Sequence, residues 1–524
     1  MAGAIRNLAR LTGLGLSLAR HDALDLPERF GVPGAVLTAL RVARRLTRRA
    51  SASAGKRPGE RLAQALIEAG PTFIKLGQSL ATRADLLGEE IADDLARLQD
   101  RVAPFPTEQA RALIEAEFER PLDELFSDFE DTPVAAASIA QVHLAVTRDG
   151  NEVAVKVLRP DIEKAFARDV EMLAWAAAAM ERAWPATRRL KPRAVVAEFA
   201  RIVAVEMDLR LEAAAASELA ANFKDDPSFR VPAVDWTRTG RRILTLERID
   251  AIPIDEVTPL RAAGIDTGAV LEKAAATFFK QIFRDGFFHA DLHPGNLFVG
   301  ADGNLVAVDF GIMGRLDWAT RRFLAEMLLG FLERDYARVA DVHFDMGFVP
   351  ADQSRDMFMQ ACRAIGEPIL GLPMNEISIA RLLAQLFRVT ETFNMETQPQ
   401  LLLLQKTMMV AEGVGRKLNP TVNMWELSRP LVETWGRDNL GPEARIRDGA
   451  RDFVAGLERL PGFLGNIDRA ARALAEQGYR LHPDTVRGLL GQGENRRQGG
   501  MGAALWVIAG LLGGILLTLL YNAT

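Results

Sequence analysis

Apolar positions change their period several times along the chain, and each change predicts a different element. Leu297-Phe298-Val299 and Leu305-Val306-Ala307-Val308 are short apolar runs either side of Ala301-Asp302-Gly303-Asn304, a pattern that predicts a β-hairpin with an Asp-Gly turn. Val153-Ala154-Val155-Lys156 reads as a strand that ends on a cation. From Asp161 to Arg182 the apolar residues return at helical spacing, and Glu212-Ala213-Ala214-Ala215-Ala216 opens a second, alanine-rich helical run. Met501 to Tyr521 is apolar and free of charge, and a run of about twenty such residues spans a hydrocarbon core as a helix.

The chemistry lies around the hairpin. His289-Ala290-Asp291-Leu292-His293-Pro294-Gly295-Asn296 precedes its first strand and Asp309-Phe310-Gly311 follows its second, so pairing of the strands brings Asn296 and Asp309 to adjacent strand ends. An Asp, an Asn five positions on and an Asp-Phe-Gly turn are the polar set of a phosphoryl-transfer site: the first Asp orients an acceptor hydroxyl, and the other two hold Mg²⁺ across the phosphates of ATP. Asp291 is therefore the expected catalytic residue, with Asn296 and Asp309 as metal ligands; sparse oxygen ligation suits Mg²⁺. His289 and His293 are expected to brace the loop.

Such a site needs a cation on the phosphates, and Lys156 supplies it on an apolar strand where an unpaired Lys is costly. Glu212 is the expected partner. The gap between them exceeds that of ordinary protein kinases, which places inserted helix between the two, Asp161 to Arg182 included. Upstream, where a kinase carries a glycine-rich loop over the phosphates, the chain has Ala135-Ala136-Ala137-Ser138-Ile139-Ala140. A Cβ at each position restricts the backbone there. Ala135, Ala136, Ala137, Ser138 and Lys156 are the expected nucleotide contacts, with Glu247 of Leu246-Glu247-Arg248 at a hinge whose backbone could hold adenine.

The alanine loop, Lys75-Leu76-Gly77-Gln78, the Glu206-x-Asp208 pair and the His289 to Asn296 loop together resemble the UbiB family of atypical kinases, the aarF-domain-containing kinases tied to ubiquinone biosynthesis. The resemblance runs from about Leu62 to Pro420. It implies that Lys75 and Gln78 lie on a helix over the active site and exclude a protein substrate, and that Glu206 and Asp208 belong to the same gating site. It further implies that Lys156 pairs with Glu212. Two departures from the family pattern, Ala215 where Asn is usual and Ala251 where Gly is usual, touch neither the metal nor the phosphate ligands.

The expected fold class is α+β: a protein-kinase-like two-lobed fold with a helical N-terminal extension and a C-terminal transmembrane helix. The expected divisions are a basic N-terminal region (1–60), the helical extension (61–130), a small lobe with a helical insert (131–250), a large lobe (251–420), a helical tail (421–499) and the membrane helix (500–521).

Length and charge extend the reading to location. The 524 residues are 48% hydrophobic and carry a formal charge of −5, which hides eleven Lys or Arg against four Asp or Glu in the first sixty residues. Arg41, Arg44, Arg45, Arg48 and Arg49 beside apolar residues favour an anionic membrane surface. Nucleic acid is not expected, because the rest of the chain is acidic and no basic aromatic platform appears. Arg496 and Arg497 before the apolar run, with no charge after it, put the catalytic body on the cytoplasmic side of a bacterial-type inner membrane. Gly510 and Gly514 allow close packing against another helix, and so a homodimer. The lone Cys362 leaves no role for disulfides.

Three functions meet these features: an ATP-dependent phosphotransferase or ATPase acting on or near quinone-biosynthesis intermediates or enzymes in membrane lipid; a small-molecule phosphotransferase of the aminoglycoside or choline kinase type; and a nucleotide-gated scaffold for quinone-biosynthesis enzymes. The Lys-x-Gly-Gln segment and the apolar run favour the first. Ordinary protein kinase activity fits worst, since nothing after Gly311 resembles an Ala-Pro-Glu platform.

Overall fold

A computed structural model describes residues 2–23, 38, 42, 55–81, 87–96, 103–183, 191–369, 379–395, 399–422 and 424–440. The arginines at 41–49 and the 500–521 run with Arg496 and Arg497 lie outside the described residues, as does all of the expected tail beyond 440. Among the described residues no helix is long and apolar enough to cross a membrane. The chain divides into two compact units, 1–441 and 442–524, and the architecture below is that of the first.

Among the described residues, four helices come first: α1 (Ala2–Arg20), α2 (Pro58–Ala69), α3 (Pro71–Ala81) and α4 (Glu89–Ala96). Gly70, at φ 109°, ends α2, and Pro71 starts α3 where a helix has no use for its missing N–H. Ala23, Leu62, Leu66, Phe73, Leu87, Ile91 and Leu95 close a core around Met172 of the helical insert, so the first residues of the chain are part of this layer.

The small lobe starts earlier than residue 131. Helix α5 (Thr107–Phe118) and the single turn α6 (Leu122–Leu125) lead into β1 (Phe126–Phe129), which pairs antiparallel with β3 (Ala140–Thr147). The short β2 (Ala135–Ala136) also pairs with β3, and β4 (Glu152–Leu158) follows. The described residues of the insert form α7 (Ile162–Ala183) and α8 (Pro192–Glu206), before α9 (Leu209–Asn222). Strand β5 (Phe229–Arg230) joins the other lobe's sheet, and β6 (Ile243–Glu247) completes the order β1-β3-β4-β6. Val153, Val155 and Val157 alternate onto one face, where they pack with Ala110 and Ile114 of α5 and with Phe126 and Phe129. That packing moves α5, α6 and β1 from the expected helical extension into the small lobe. On the opposite face Leu158 and Leu244 meet Phe166, Phe199, Val203 and Leu209 of the three following helices.

In the large lobe β7 (Ala251–Pro253) is followed by α10 (Val257–Ala262) and α11 (Thr267–Phe279), which continues as a π-helical turn, Lys280–Asp285. Strand β8 (Phe287–His289), the hairpin β9 (Leu297–Gly300) and β10 (Leu305–Ala307), and β11 (Met313–Arg315) come next. The hairpin pairs as its pattern predicted, Leu305 opposite Val299 and Ala307 opposite Leu297, with Gly303 at φ 70° in the turn. Its sheet runs β5-β10-β9-β7, while β8 and β11 form a separate pair. Six helices follow among the described residues: α12 (Trp318–Glu333), α13 (Tyr336–Asp345), α14 (Arg355–Gly366), α15 (Ile379–Thr392), α16 (Pro399–Leu418) and α17 (Met424–Leu440). Val414 and Leu418 of α16 reach the core beneath the hairpin, beside Phe287, Leu297, Leu305 and Phe310.

Candidate functional site

Because Val155 and Val157 point into the α5 side of the sheet, Lys156 must leave from the other face, toward α9. Its Nζ lies 2.8 and 3.0 Å from the two carboxylate oxygens of Glu212 and 3.0 Å from Oδ1 of Asp309. Glu212 is buried, only 7% exposed, and Lys156 is partly buried, whereas the Asp309 side chain is half exposed to the cleft. Burial works to lower the Lys156 pKa, but the charges of Asp309 and Glu212 outweigh it and hold the ammonium above its ordinary value. Burial pushes Glu212 up to about 7 against the pull of Lys156, with the like charge of Asp309 adding to the rise. Asp309 goes the other way: burial would raise it, yet Lys156, with the charge of Lys75 behind it, keeps it well below the usual carboxylate range. One carboxylate is firmly ionised and the other holds its charge less tightly.

The loop before the hairpin is fixed by its own side chains. Asn296 donates from Nδ2 to the Asp291 carbonyl at 3.0 Å, which leaves its Oδ1 as an acceptor. The Val308 N–H donates to the Asn296 carbonyl, joining the strand ends that carry Asn296 and Asp309. His289 is fully buried, and burial lowers its pKa, so the ring is neutral. It donates from Nε2 to the Val308 carbonyl at 3.2 Å and accepts the Asp291 N–H on Nδ1 at 3.1 Å. A single imidazole thus spans the Asp291 loop and the residue before Asp309. His293 accepts the Gly295 N–H. Asp309 sits at φ 60°, a left-handed conformation that a non-glycine residue adopts at a cost, at the point where its carboxylate meets Lys156. A carboxylate oxygen of Asp309 and the amide oxygen of Asn296 are hard oxygen donors suited to Mg²⁺, which fills its remaining positions with water and phosphate oxygens.

The alanine loop is short and tied down. Ala135 and Ala136 pair with Val142 and Gln141, and the Ala137 N–H donates to the Ala140 carbonyl at 2.8 Å. Arg159 grips the Ala137 carbonyl through Nε and a terminal nitrogen, at 3.1 and 2.9 Å, and reaches the Ala103 carbonyl at 3.0 Å. Ser138 is fully buried, and its hydroxyl has no partner among the described residues.

Helix α3 carries Lys75 and Gln78. Lys75 pairs with Glu206 at 3.1 Å, both largely buried, and Thr72 on the same helix donates to Asp169 of α7 at 2.6 Å. Glu206 and Glu212 do not share one helix face: the chain breaks at Met207, so Glu206 ends α8 and Glu212 belongs to α9. The carboxylate of Asp208, the other residue of the expected gating pair, accepts the Arg210 N–H to cap α9 and holds the Arg210 guanidinium at 2.6 and 2.8 Å. At the expected hinge, the Glu247 N–H donates to the Ala233 carbonyl, and its side chain accepts the Ala233 N–H and pairs with Arg230.

Three supporting residues carry no signal in the sequence. Gln281, fully buried on the π-helical turn, accepts the His289 N–H at 2.9 Å. Arg159 and Arg315 look like ordinary surface arginines until the chain is folded.

Residues 97–343 match the ABC1 atypical kinase-like domain, and 362–423 match the UbiB helical domain. The chain is 44% identical over 404 residues to the probable protein kinase UbiB of Marinobacter nauticus, covering 76% of this chain and 74% of that one. It is 41% identical over 460 residues to the probable protein kinase UbiB of Cronobacter sakazakii, with 86% and 84% covered. A solved structure, the complex of Rv3197 with erythromycin from Mycobacterium tuberculosis, overlays at a TM-score of 0.49 and 25% identity over 68% of this chain and 90% of that one.

Proposed function

This chain belongs to the UbiB family of atypical kinases, and we propose that it uses Mg-ATP to support ubiquinone biosynthesis, as an ATPase or phosphotransferase acting on or near membrane lipid intermediates rather than on proteins. The observation that carries the reading is the Lys156 ammonium held between Glu212 and Asp309, beside a loop that presents Asp291 and Asn296. Lys156 is positioned to place its charge on the phosphates, with Glu212 fixing its direction. Asp291 accepts the proton of the attacking hydroxyl or water, and His289 keeps its loop in register with Asp309. Mg²⁺, when bound by Asp309 and Asn296, supplies charge for the phosphate oxygens.

Helix α3 supports the choice of a small or lipid acceptor. Its Lys75 is locked to Glu206, and the charge of Lys75 reaches Asp309, so the helix lies close to the site that a protein substrate would need to enter. Membrane attachment rests on the apolar run from Met501 to Tyr521, and Arg496 and Arg497 favour a cytoplasmic catalytic body at a bacterial-type inner membrane.

The test is ATP turnover by the purified full-length protein, with and without lipid vesicles or a phenolic head-group analogue, using Asp309→Asn as the control. Phosphate release that lipid stimulates and the variant lacks supports an ATPase working on membrane intermediates. Binding of ATP with no turnover under every condition replaces that reading with a nucleotide-gated scaffold.

A further inference from the structure

In kinases generally, the helix that carries the glutamate partner of the lysine is held in place by the segment after the Asp-Phe-Gly turn, and phosphorylation of that segment often makes the contact. Here residues 312–335 contain a single hydroxyl-bearing side chain, Thr320. Thr320 is 4% exposed, and its N–H is capped by Asp317 at the start of α12. The segment offers no accessible hydroxyl to phosphorylate.

A different contact stands there. Strand β11 begins two residues after Gly311 and pairs with β8, which ends two residues before Asp291: Met313 opposite His289, Gly314 opposite Phe288 and Arg315 opposite Phe287. Gly314 fixes that register, since a Cβ on it would lie 2.2 Å from the Phe288 ring. Arg315 at the end of β11 forms a two-pronged ion pair with Glu218 of α9, at 2.8 and 2.5 Å, and lies 4.3 Å from the centre of the Phe287 ring. Glu218 is on the same helix as Glu212. One guanidinium, carried by the strand that follows Asp309, therefore touches both the strand that leads to Asp291 and the helix that carries Glu212.

Exposed ion pairs usually contribute little. This one differs in geometry, because a planar fork on both carboxylate oxygens and a ring face under the guanidinium fix its orientation. We infer that Arg315 and Glu218 are positioning residues, a permanent pin that holds the Glu212 helix against the two catalytic loops where other kinases use a phosphorylated residue. The inference rests on the ATP-dependent reading above. Arginine stays charged across the working pH range, so the pin is set by folding and needs no activating enzyme.

The experiment is charge reversal in the full-length protein: Glu218→Arg, Arg315→Glu and the two together. Each single variant is expected to raise amide hydrogen exchange in residues 209–222 and to lower kcat for ATP turnover about tenfold, with the ATP KM changing less than about threefold, and the double variant to recover most of both losses. Phosphatase treatment of the wild type is expected to leave turnover unchanged. If Glu218→Arg does not fold, Glu218→Gln gives the same comparison without a new like-charge contact. Exchange in 209–222 that is unaltered by the single variants overturns the pin, as does a double variant no better than either single one, or turnover that phosphatase abolishes. Absence of turnover in the wild type overturns the catalytic reading instead, while hydrogen exchange still tests the pin.

Discussion

Lys156 shares its charge between two carboxylates that hold their protons differently, and this asymmetry governs what happens when it is removed. With Glu212 already pushed up to about 7, loss of the ammonium lets Glu212 take a proton rather than stand buried and ionised. Lys156→Met is therefore expected to fold with a melting temperature within about 5 °C of wild type, yet to lose ATP turnover by about a hundredfold or more, because nothing else replaces the cation on the phosphates. Melting curves and phosphate release measured on one preparation check both halves; retained turnover sinks the site assignment. At this scale the sequence was readable where spacing carries chemistry. Lys156, Glu212, Asn296 and Asp309 could be named before folding because strand and hairpin patterns placed them. Folding added contacts at Asp208, which caps a helix, and at Glu247, which braces a backbone, and a carboxylate so engaged has no mark in sequence distinguishing it from one that faces a ligand.

Elements decide how firmly those side chains are aimed. The alanine loop is held from outside by Arg159, so its conformation depends on a residue beyond its own span. Ala137→Gly keeps the carbonyl that Arg159 grips but frees the backbone, and is expected to change the relative affinities for ADP and ATP by several-fold, about 1 kcal/mol. Calorimetric titration with each nucleotide measures it, and unchanged affinities count against the loop touching nucleotide. The π-helical turn 280–285 works on the other side of the cleft, with Gln281 holding the backbone of His289. Gln281→Leu leaves a buried N–H without its acceptor and is expected to cost about 1–3 kcal/mol in urea unfolding. A wild-type midpoint would show that the bond is dispensable. The period-2 and hairpin patterns made the strands legible, but a π-turn has the same apolar pattern as the helix it interrupts.

At the scale of the whole molecule, a buried histidine on α13 of the large lobe makes stability depend on acid. His343 packs among Phe323, Phe358 and the α13 backbone; burial pushes its pKa down to about 4, while its bond to the Val339 carbonyl opposes the shift. The unfolded chain, with an ordinary value near 6.5, binds the proton first, so the contribution to stability is complete above about 6.5 and is lost as pH falls toward 4. Over that window the loss is at most about 3 kcal/mol. His343→Leu is expected to flatten this limb when urea midpoints are compared at pH 7.5 and 5, and an unchanged slope would rule His343 out as its source. The expected division at residue 130 illustrates a limit of the same kind: α5 looks like part of a helical run, and only its contact with Val153, Val155 and Val157 assigns it to the small lobe.

Local spacing by itself determined the strand carrying Lys156, the hairpin and its polar ends, because each depends on residues within about one element of one another, while the family was legible as a resemblance carried by several motifs together. The tertiary structure decided which carboxylate Lys75 meets, where Gln281 and Arg159 point, and that Arg315 joins three elements. Those contacts link residues far apart in the chain, and a side chain's partner at that distance follows from packing and register, which no local period encodes.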